Sequence, residues 1–346
     1  MTSICEQLRN NDYELRELRL TESPEAYAAS MSDLIEALSS NTVVDYIRLD
    51  RDFLPCMDEN YMEDFFSTIG ALPALTEAHI WHASVPVKVL ADFLKNANKI
   101  EFLEFGCLDL QGSAEDFAII SKAIENHPTL TGFNLTDFCL NDDSIVMDDF
   151  IKALSTIPNL EKVKIEVTRR RRVSLVGSVA ASQPVKVIVR GLALASLISA
   201  PKMNELTLNR LALDLDDFEA LAEAIKTAPS IKGLALPHCG LNDESADHIA
   251  KAIGLNQSLE KLDLSCNSLT DEGCIVIATA LADNRSIKML RLWGNVKISN
   301  AGFDALAEML QKNVALERIP LMAPAAYKNK IDADNMKTRA GISHAA

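Results

Sequence analysis

Four consecutive arginines, Arg169, Arg170, Arg171 and Arg172, are the densest charge in an otherwise acidic chain. Val173 and Ser174 follow, so the stretch reads R-R-x-S, similar to the sites of basophilic kinases of the cyclic-AMP-dependent type. A phosphate on Ser174 would set about two negative charges beside the four cations and could reorder the segment. The plainer alternative is a solvated loop whose arginines pair with Glu166 and its neighbours. Acid–base and nucleophilic chemistry has little to work with. His79, His82, His127, His238, His248 and His344 are scattered, none beside a serine, cysteine or acid in a recognised catalytic motif. His238 precedes Cys239, but the pair reads as a turn. The cysteines at 5, 56, 107, 139, 239, 266 and 274 include no C-x-x-C pair and no histidine at metal-ligand spacing. No P-loop and no G-x-G-x-x-G occurs. The expectation is a non-enzymatic protein with no catalytic residue, no metal and no cofactor, which leaves recognition by large side chains such as Trp81 and Trp293.

The elements that must position such residues come from a repeat. The segments MNELTLNRLAL, IKGLALPHCGL, LEKLDLSCNSL, IKMLRLWGNVKI and LERIPLM open at Met203, Ile231, Leu259, Ile287 and Leu316, a period of 28 to 29 residues. Leu262 and Leu264 alternate with Asp263 and Ser265, the pattern of a strand with one buried face. After a turn at Asn267, an apolar set at Cys274, Ile277, Ala278 and Leu281 follows helical spacing. The first half repeats the pattern in a more worn form, with cores opening at Leu15, Val44, Leu75, Ile100, Leu130 and Leu160. Asp52, Ala83, Leu108 and Phe138 stand there where asparagine stands later. One strand–turn–helix unit cannot bury its apolar faces alone; stacked units can.

The L-x-x-L-x-L-x-x-N/C-x-L cores at 259–269 and, with Cys239, at 231–241 resemble the ribonuclease-inhibitor-like subfamily of leucine-rich repeats. That subfamily includes the repeats of NLR immune receptors and of Ran GTPase-activating proteins. Asp271-Glu272-Gly273 and Asn300-Ala301-Gly302 sit where it often turns into its helix. The resemblance implies an α/β solenoid, a horseshoe of about 11 to 12 strand–turn–helix repeats, with a parallel sheet on the concave face and helices on the convex face. It implies a protein-binding module working through the concave face. A GTPase activator of the Ran-directed type is an alternative, but it would want an arginine loop near Leu20–Pro24 and an acidic tail. Here the tail carries Lys328, Lys330, Lys337 and Arg339. A nuclease or other enzyme inhibitor is a further alternative; it would want more cysteines and a strongly acidic inner face.

In this register the third, fifth and seventh residues of each core project from the concave face. Tyr46, Arg48, His79, Trp81 and Phe102 cluster there toward the N-terminus, and Arg291 with Trp293 toward the C-terminus. These seven are the candidate partner-binding residues; the competing reading packs each tryptophan across neighbouring strands. Seven acidic and seven basic residues share the face, so the net charge of −15 lies mostly on helices and turns. Acidity disfavours nucleic acid as a partner. No apolar run is long enough to span a membrane and no secretory signal is evident, so the expectation is a cytoplasmic protein, monomeric when alone. The expected organisation is a cap over 1–14, degenerate repeats over 15–167, an irregular stretch over 168–200, regular repeats over 201–321 and a cap or disordered tail over 322–346. The irregular stretch is either an insertion or a β-branched strand over 185–189 with a short helix, giving two short units.

Overall fold

The computed structural model describes residues 4–50, 53–54, 59–81, 84–107, 109–111, 114–136, 139–140, 144–167 and 186–320. Arg169–Arg172 and Ser174 lie outside them, as does the C-terminal stretch from 321. The chain divides into two compact units, Met1–Val187 and Ile188–Ala346.

In the first unit, alternating apolar residues make six parallel strands. They are β1 (Glu17–Leu20), β2 (Tyr46–Leu49), β3 (Glu77–Trp81), β4 (Phe102–Gly106), β5 (Gly132–Thr136) and β6 (Lys162–Glu166), paired in that order. Ile47 and Leu49, Ala78 and Ile80, and Val163 and Ile165 point inward and are buried. Their neighbours point to the open face, as a two-residue period requires. Helices α1 (Ile4–Arg9), α2 (Met31–Ser39), α3 (Glu59–Gly70), α4 (Val87–Asn96), α5 (Ala114–Ile124) and α6 (Asp148–Ser155) cover the other face. Phenylalanines fill the layer between: Phe65 meets Phe66 at 6.0 Å, Phe66 meets Phe93 at 5.7 Å, and Phe133 meets Phe150 at 5.5 Å. A second ladder of short strands, Ser84–Pro86, Asp109–Gln111 and Cys139–Leu140, runs beside the first.

The second unit carries β7 (Glu205–Asn209), β8 (Gly233–Ala235), β9 (Lys261–Asp263) and β10 (Met289–Arg291), again parallel and in order. Its helices are α7 (Gly191–Ile198), α8 (Leu215–Thr227), α9 (Asp243–Leu255), α10 (Asp271–Ala282) and α11 (Asn300–Lys312). The core expected to open at Leu316 contributes a single bridge, Met289 to Arg318, rather than a strand. The β-branched run forms a strand over Lys186–Ile188 that takes no place in the open-face ladder of either unit.

Polar ladders fix the spacing of the repeats. Asn284 is buried; its amide donates to the carbonyls of Ile253 and Asn256, and its oxygen accepts from the backbone of Ser286 and Ile287. Asn256 and Asn313 do the same one repeat away on either side. Each closes groups that a helix end leaves open. Asp271 ties α10 to α11: its Oδ1 accepts from the backbone of Ser299 at 2.7 Å and Gly302 at 2.9 Å. A Cβ on Gly302 would stand 2.8 Å from that oxygen, and one on Gly273 would press on the Asp243 carboxylate one repeat earlier, which accounts for the glycine in the N-A-G and D-E-G signatures.

Candidate functional site

Of the expected binding residues, the first unit gathers Tyr46, Arg48, His79, Trp81 and Phe102 on three adjacent strands, β2, β3 and β4. Register does the gathering. Arg48, His79 and Glu104 stand in one row, Tyr46, Glu77, Phe102 and Gly132 in the next, and Trp81 faces Gly106. Tyr46 and His79 rings lie 5.1 Å apart, and His79 and Phe102 rings 5.6 Å apart, both tilted. The Arg19 guanidinium lies 4.9 Å over the Tyr46 ring, and that of Arg48 lies 5.9 Å from the Trp81 ring. Contacts of this kind hold a ring in place for about 0.5–1 kcal/mol at an exposed site.

Two glycines make shelves for the rings. A Cβ on Gly106 would fall 2.5 Å from the Trp81 indole, and a Cβ on Gly132 would fall 2.5 Å from the Phe102 ring. Trp81 and Phe102 therefore lie across the neighbouring strand, each half-buried. They form a flat apolar floor rather than projecting anchors.

His79 sits at the centre of the floor. Its Nε2 is 2.6 Å from Glu77 and its Nδ1 is 2.7 Å from Glu104. A carboxylate only accepts hydrogen bonds, so both contacts are satisfied together only when both ring nitrogens carry protons. Burial alone pulls the imidazole downward and is the largest single influence, yet the hydrogen bonds to Glu104 and Glu77 outweigh it and leave His79 above its ordinary value. Glu104 is held below the usual carboxylate range by the hydrogen bond from His79, with Lys164 and Asn134 assisting.

The second unit holds Arg291 and Trp293. Arg291 pairs with Asp263 at 3.3 Å, and Trp293 is 46% exposed, so the two tryptophans share a repeat position and differ in setting. Beside Arg291 lies a depression of about 300 Å³ floored by Gly233 and Ala235 and flanked by Glu205 and Lys261.

Among the described residues, His127, His238, Cys239 and Cys274 take places in the packing and turns of the repeats. His127 is buried against the Ala97 carbonyl at 3.0 Å, and burial lowers its pKa. His238 occupies a left-handed turn at φ 58°. Burial pushes the Cys239 and Cys274 thiols up to about 12, and Cys239 Sγ lies 3.2 Å from the Leu208 carbonyl. These thiols are poor nucleophiles. Among the described residues no group of histidine, cysteine and acid is arranged to hold a metal ion, and no helix is long and apolar enough to cross a membrane.

Glu77, Glu104, Gly106 and Gly132 are what the linear sequence did not single out. The glutamates read as two face charges among many, and the glycines as gaps. Writing the cores in register would have put Gly106 opposite Trp81 and Gly132 opposite Phe102.

A parallel open-face ladder, helices on the other face, and asparagine and cysteine at the strand-to-helix turns define the class: this is a leucine-rich-repeat protein with an α/β solenoid fold. A family model described as Leucine Rich repeat matches residues 255–278. No curated protein matches significantly. Among solved structures, the TLR13 chain of a TLR13–ssRNA13 complex is 15% identical with a TM-score of 0.50, covering 89% of this chain and 36% of that one. A chain from the yeast Rad7–Elc1 complex is 18% identical with a TM-score of 0.48, covering 88% of this chain and 68% of that one. Leiomodin-1 actin-binding site 2 is 20% identical with a TM-score of 0.41, covering 44% of this chain and 90% of that one. The likeness to these structures is one of fold.

Proposed function

We propose that this chain is a non-enzymatic scaffold that binds a protein partner on its open sheet face, with Tyr46, Arg48, His79, Trp81 and Phe102 as the principal contact. The observation that carries this reading is the seated aromatic floor: half-buried rings held in fixed positions by two glycine shelves and two arginines. Rings fixed in advance lose little freedom on binding, and central aromatic clusters supply most of the affinity of protein interfaces. The surrounding charges are already matched, Arg19 with Glu17 at 2.8 Å, Arg48 with Asp50 at 3.2 Å and Lys164 with Glu166 at 2.8 Å. A self-neutralised face suits a protein surface better than a phosphate backbone. Arg291 and Trp293 are proposed as a second contact on the other unit, and a cytoplasmic site of action is proposed because the described cysteines Cys5, Cys107, Cys239, Cys266 and Cys274 form no disulfide with one another.

The test is capture from native lysate by wild type and by a Trp81→Ala, Trp293→Ala variant of unchanged circular dichroism, with and without ribonuclease. The expected result is a specific protein retained by wild type, resistant to ribonuclease, and lost by the variant. Equal retention by both would sink the aromatic contact; loss on ribonuclease treatment would replace the protein partner with RNA.

A further inference from the structure

Of everything on the open face, the His79 site has the most unusual chemistry. A neutral imidazole has one N–H donor and one lone pair. Here both ring nitrogens face carboxylate oxygens, at 2.6 Å and 2.7 Å, and the side chain is only 14% exposed. Both flanks of the ring are also occupied, by Tyr46 and by Phe102. The imidazolium is thus the pin that holds three strands' face residues in one arrangement. The charged and titratable groups packed about it are Tyr46 and Arg48 from β2, Glu77 from β3 and Glu104 from β4, with Lys164 of β6 acting on Glu104. Arg48 is engaged by Asp50.

We infer that the binding face is pH-gated: protonated His79, clamped between Glu77 and Glu104, holds the Tyr46–His79–Phe102 stack closed, and loss of its proton opens it. The asymmetry of the clamp says which bond goes. Glu104 is 16% exposed and is braced by Asn134 and Lys164, whereas Glu77 is 41% exposed. The Nε2–H bond breaks and its proton passes to water; Nδ1–H stays on Glu104. The Nε2 lone pair then faces the Glu77 carboxylate, which swings into solvent and lets the ring tilt away from its neighbours. The direction of the His79 shift agrees, since the protonated form is favoured in the folded chain. A histidine held this way gives up its proton at a higher pH than a free one. The face is therefore assembled at pH below the raised His79 value and loosened as pH rises through it.

This rests on the proposed binding role of the face only for its consequence, tighter capture of the partner at lower pH. The clamp itself belongs to the free chain and is tested there. The experiment is an NMR titration of the histidine and aromatic ring resonances of the full chain, for wild type, Glu104→Gln, Glu77→Gln and His79→Phe. The expected result is a His79 midpoint above 6.5, with Tyr46 and Phe102 ring signals moving at the same midpoint. Both glutamine variants lower the midpoint, and His79→Phe abolishes the movement of the neighbouring rings. If Glu104→Gln fails to fold, the more exposed Glu77→Gln decides. A His79 midpoint at or below 6.5, or ring signals indifferent to it, overturns the clamp whatever the capture experiment shows. A clamp that titrates as described in a chain that captures nothing leaves the gate standing and removes the binding role.

Discussion

Gly106→Ala asks whether Trp81 is seated as described, and its sign alone decides. In an ordinary strand, alanine is better than glycine by about 0.5–1 kcal/mol, because it gives up less chain entropy on folding. Here the added Cβ would fall 2.5 Å from the indole Cδ2 and Cε3, so the ring must leave its shelf. A tryptophan buries about 150–250 Å² in all. The shelf covers one ring face, which we take as roughly 100 Å², worth about 2.5 kcal/mol at about 25 cal/mol per Å². The contact with Arg48 adds about 0.5–1 kcal/mol. Set against the backbone gain and partial re-seating of the ring, the expected net loss is about 1–3 kcal/mol. The assay is urea unfolding followed by fluorescence in a Trp293→Phe background, which leaves Trp81 as the single indole. Native emission should shift to the red as the indole meets water. A variant more stable than its parent, with unchanged emission, would refute the shelf and with it the preformed floor.

Other outcomes follow from the ladders and turns. Asn284→Ala strips four backbone hydrogen bonds and one from the Ser286 hydroxyl at a buried site; at about 1–3 kcal/mol per stranded backbone group, partly relieved by relaxation and entering water, the expected loss is about 3–6 kcal/mol by denaturant unfolding, and a loss below about 1 kcal/mol would contradict the ladder. Cys266 holds a left-handed φ of 55°, so Cys266→Gly should gain up to about 1 kcal/mol, whereas Gly294→Ala should destabilise because its φ is 79° and its Cβ would meet Cys266 Sγ at 2.6 Å. Asp271 is held below its ordinary value, first by the Ser299 hydroxyl and then by the Ser299 backbone. Its contribution is present above the unfolded value and lost as pH falls through the folded one; Asp271→Asn should flatten the acid limb of stability against pH, and an unchanged limb would count against it. His79 has the opposite sign: its contribution is complete below its ordinary value and is lost as pH rises through the raised one, a slope that His79→Phe should remove from thermal melts.

The repeat was legible because leucine alternation and helical spacing are local patterns, visible at Leu262, Leu264, Ile277 and Leu281 without any knowledge of neighbours. The open-face positions of Tyr46, His79, Trp81 and Phe102 came from the same period. What those residues do there was not legible, because it depends on the next strand. Nothing near Trp81 in the sequence announces that Gly106, twenty-five residues on, will lie beneath it. Glu77 and Glu104 meet only across His79, which requires the register of β3 and β4. Asn256, Asn284 and Asn313 recur at helix ends, and their spacing was available as a signal, but their role appears only when each amide is seen reaching into the preceding repeat. Leu316 looked like another strand opening because its local pattern is right; only Arg318 bridges to Met289.

The central claim, that the aromatic floor of the first unit is the partner surface, is met most directly by site-specific photo-crosslinking. A benzophenone amino acid placed at Tyr46, half-buried on the open sheet face of the first unit, and in a second variant at Leu255, exposed on helix α9 of the second unit, samples a sheet position and a helix position. Both variants are irradiated in native lysate and the adducts identified by mass spectrometry. A single protein crosslinked from position 46 and absent from position 255 is the expected result. The same protein crosslinked from 255 and not from 46 would place the partner on the helices and contradict the account.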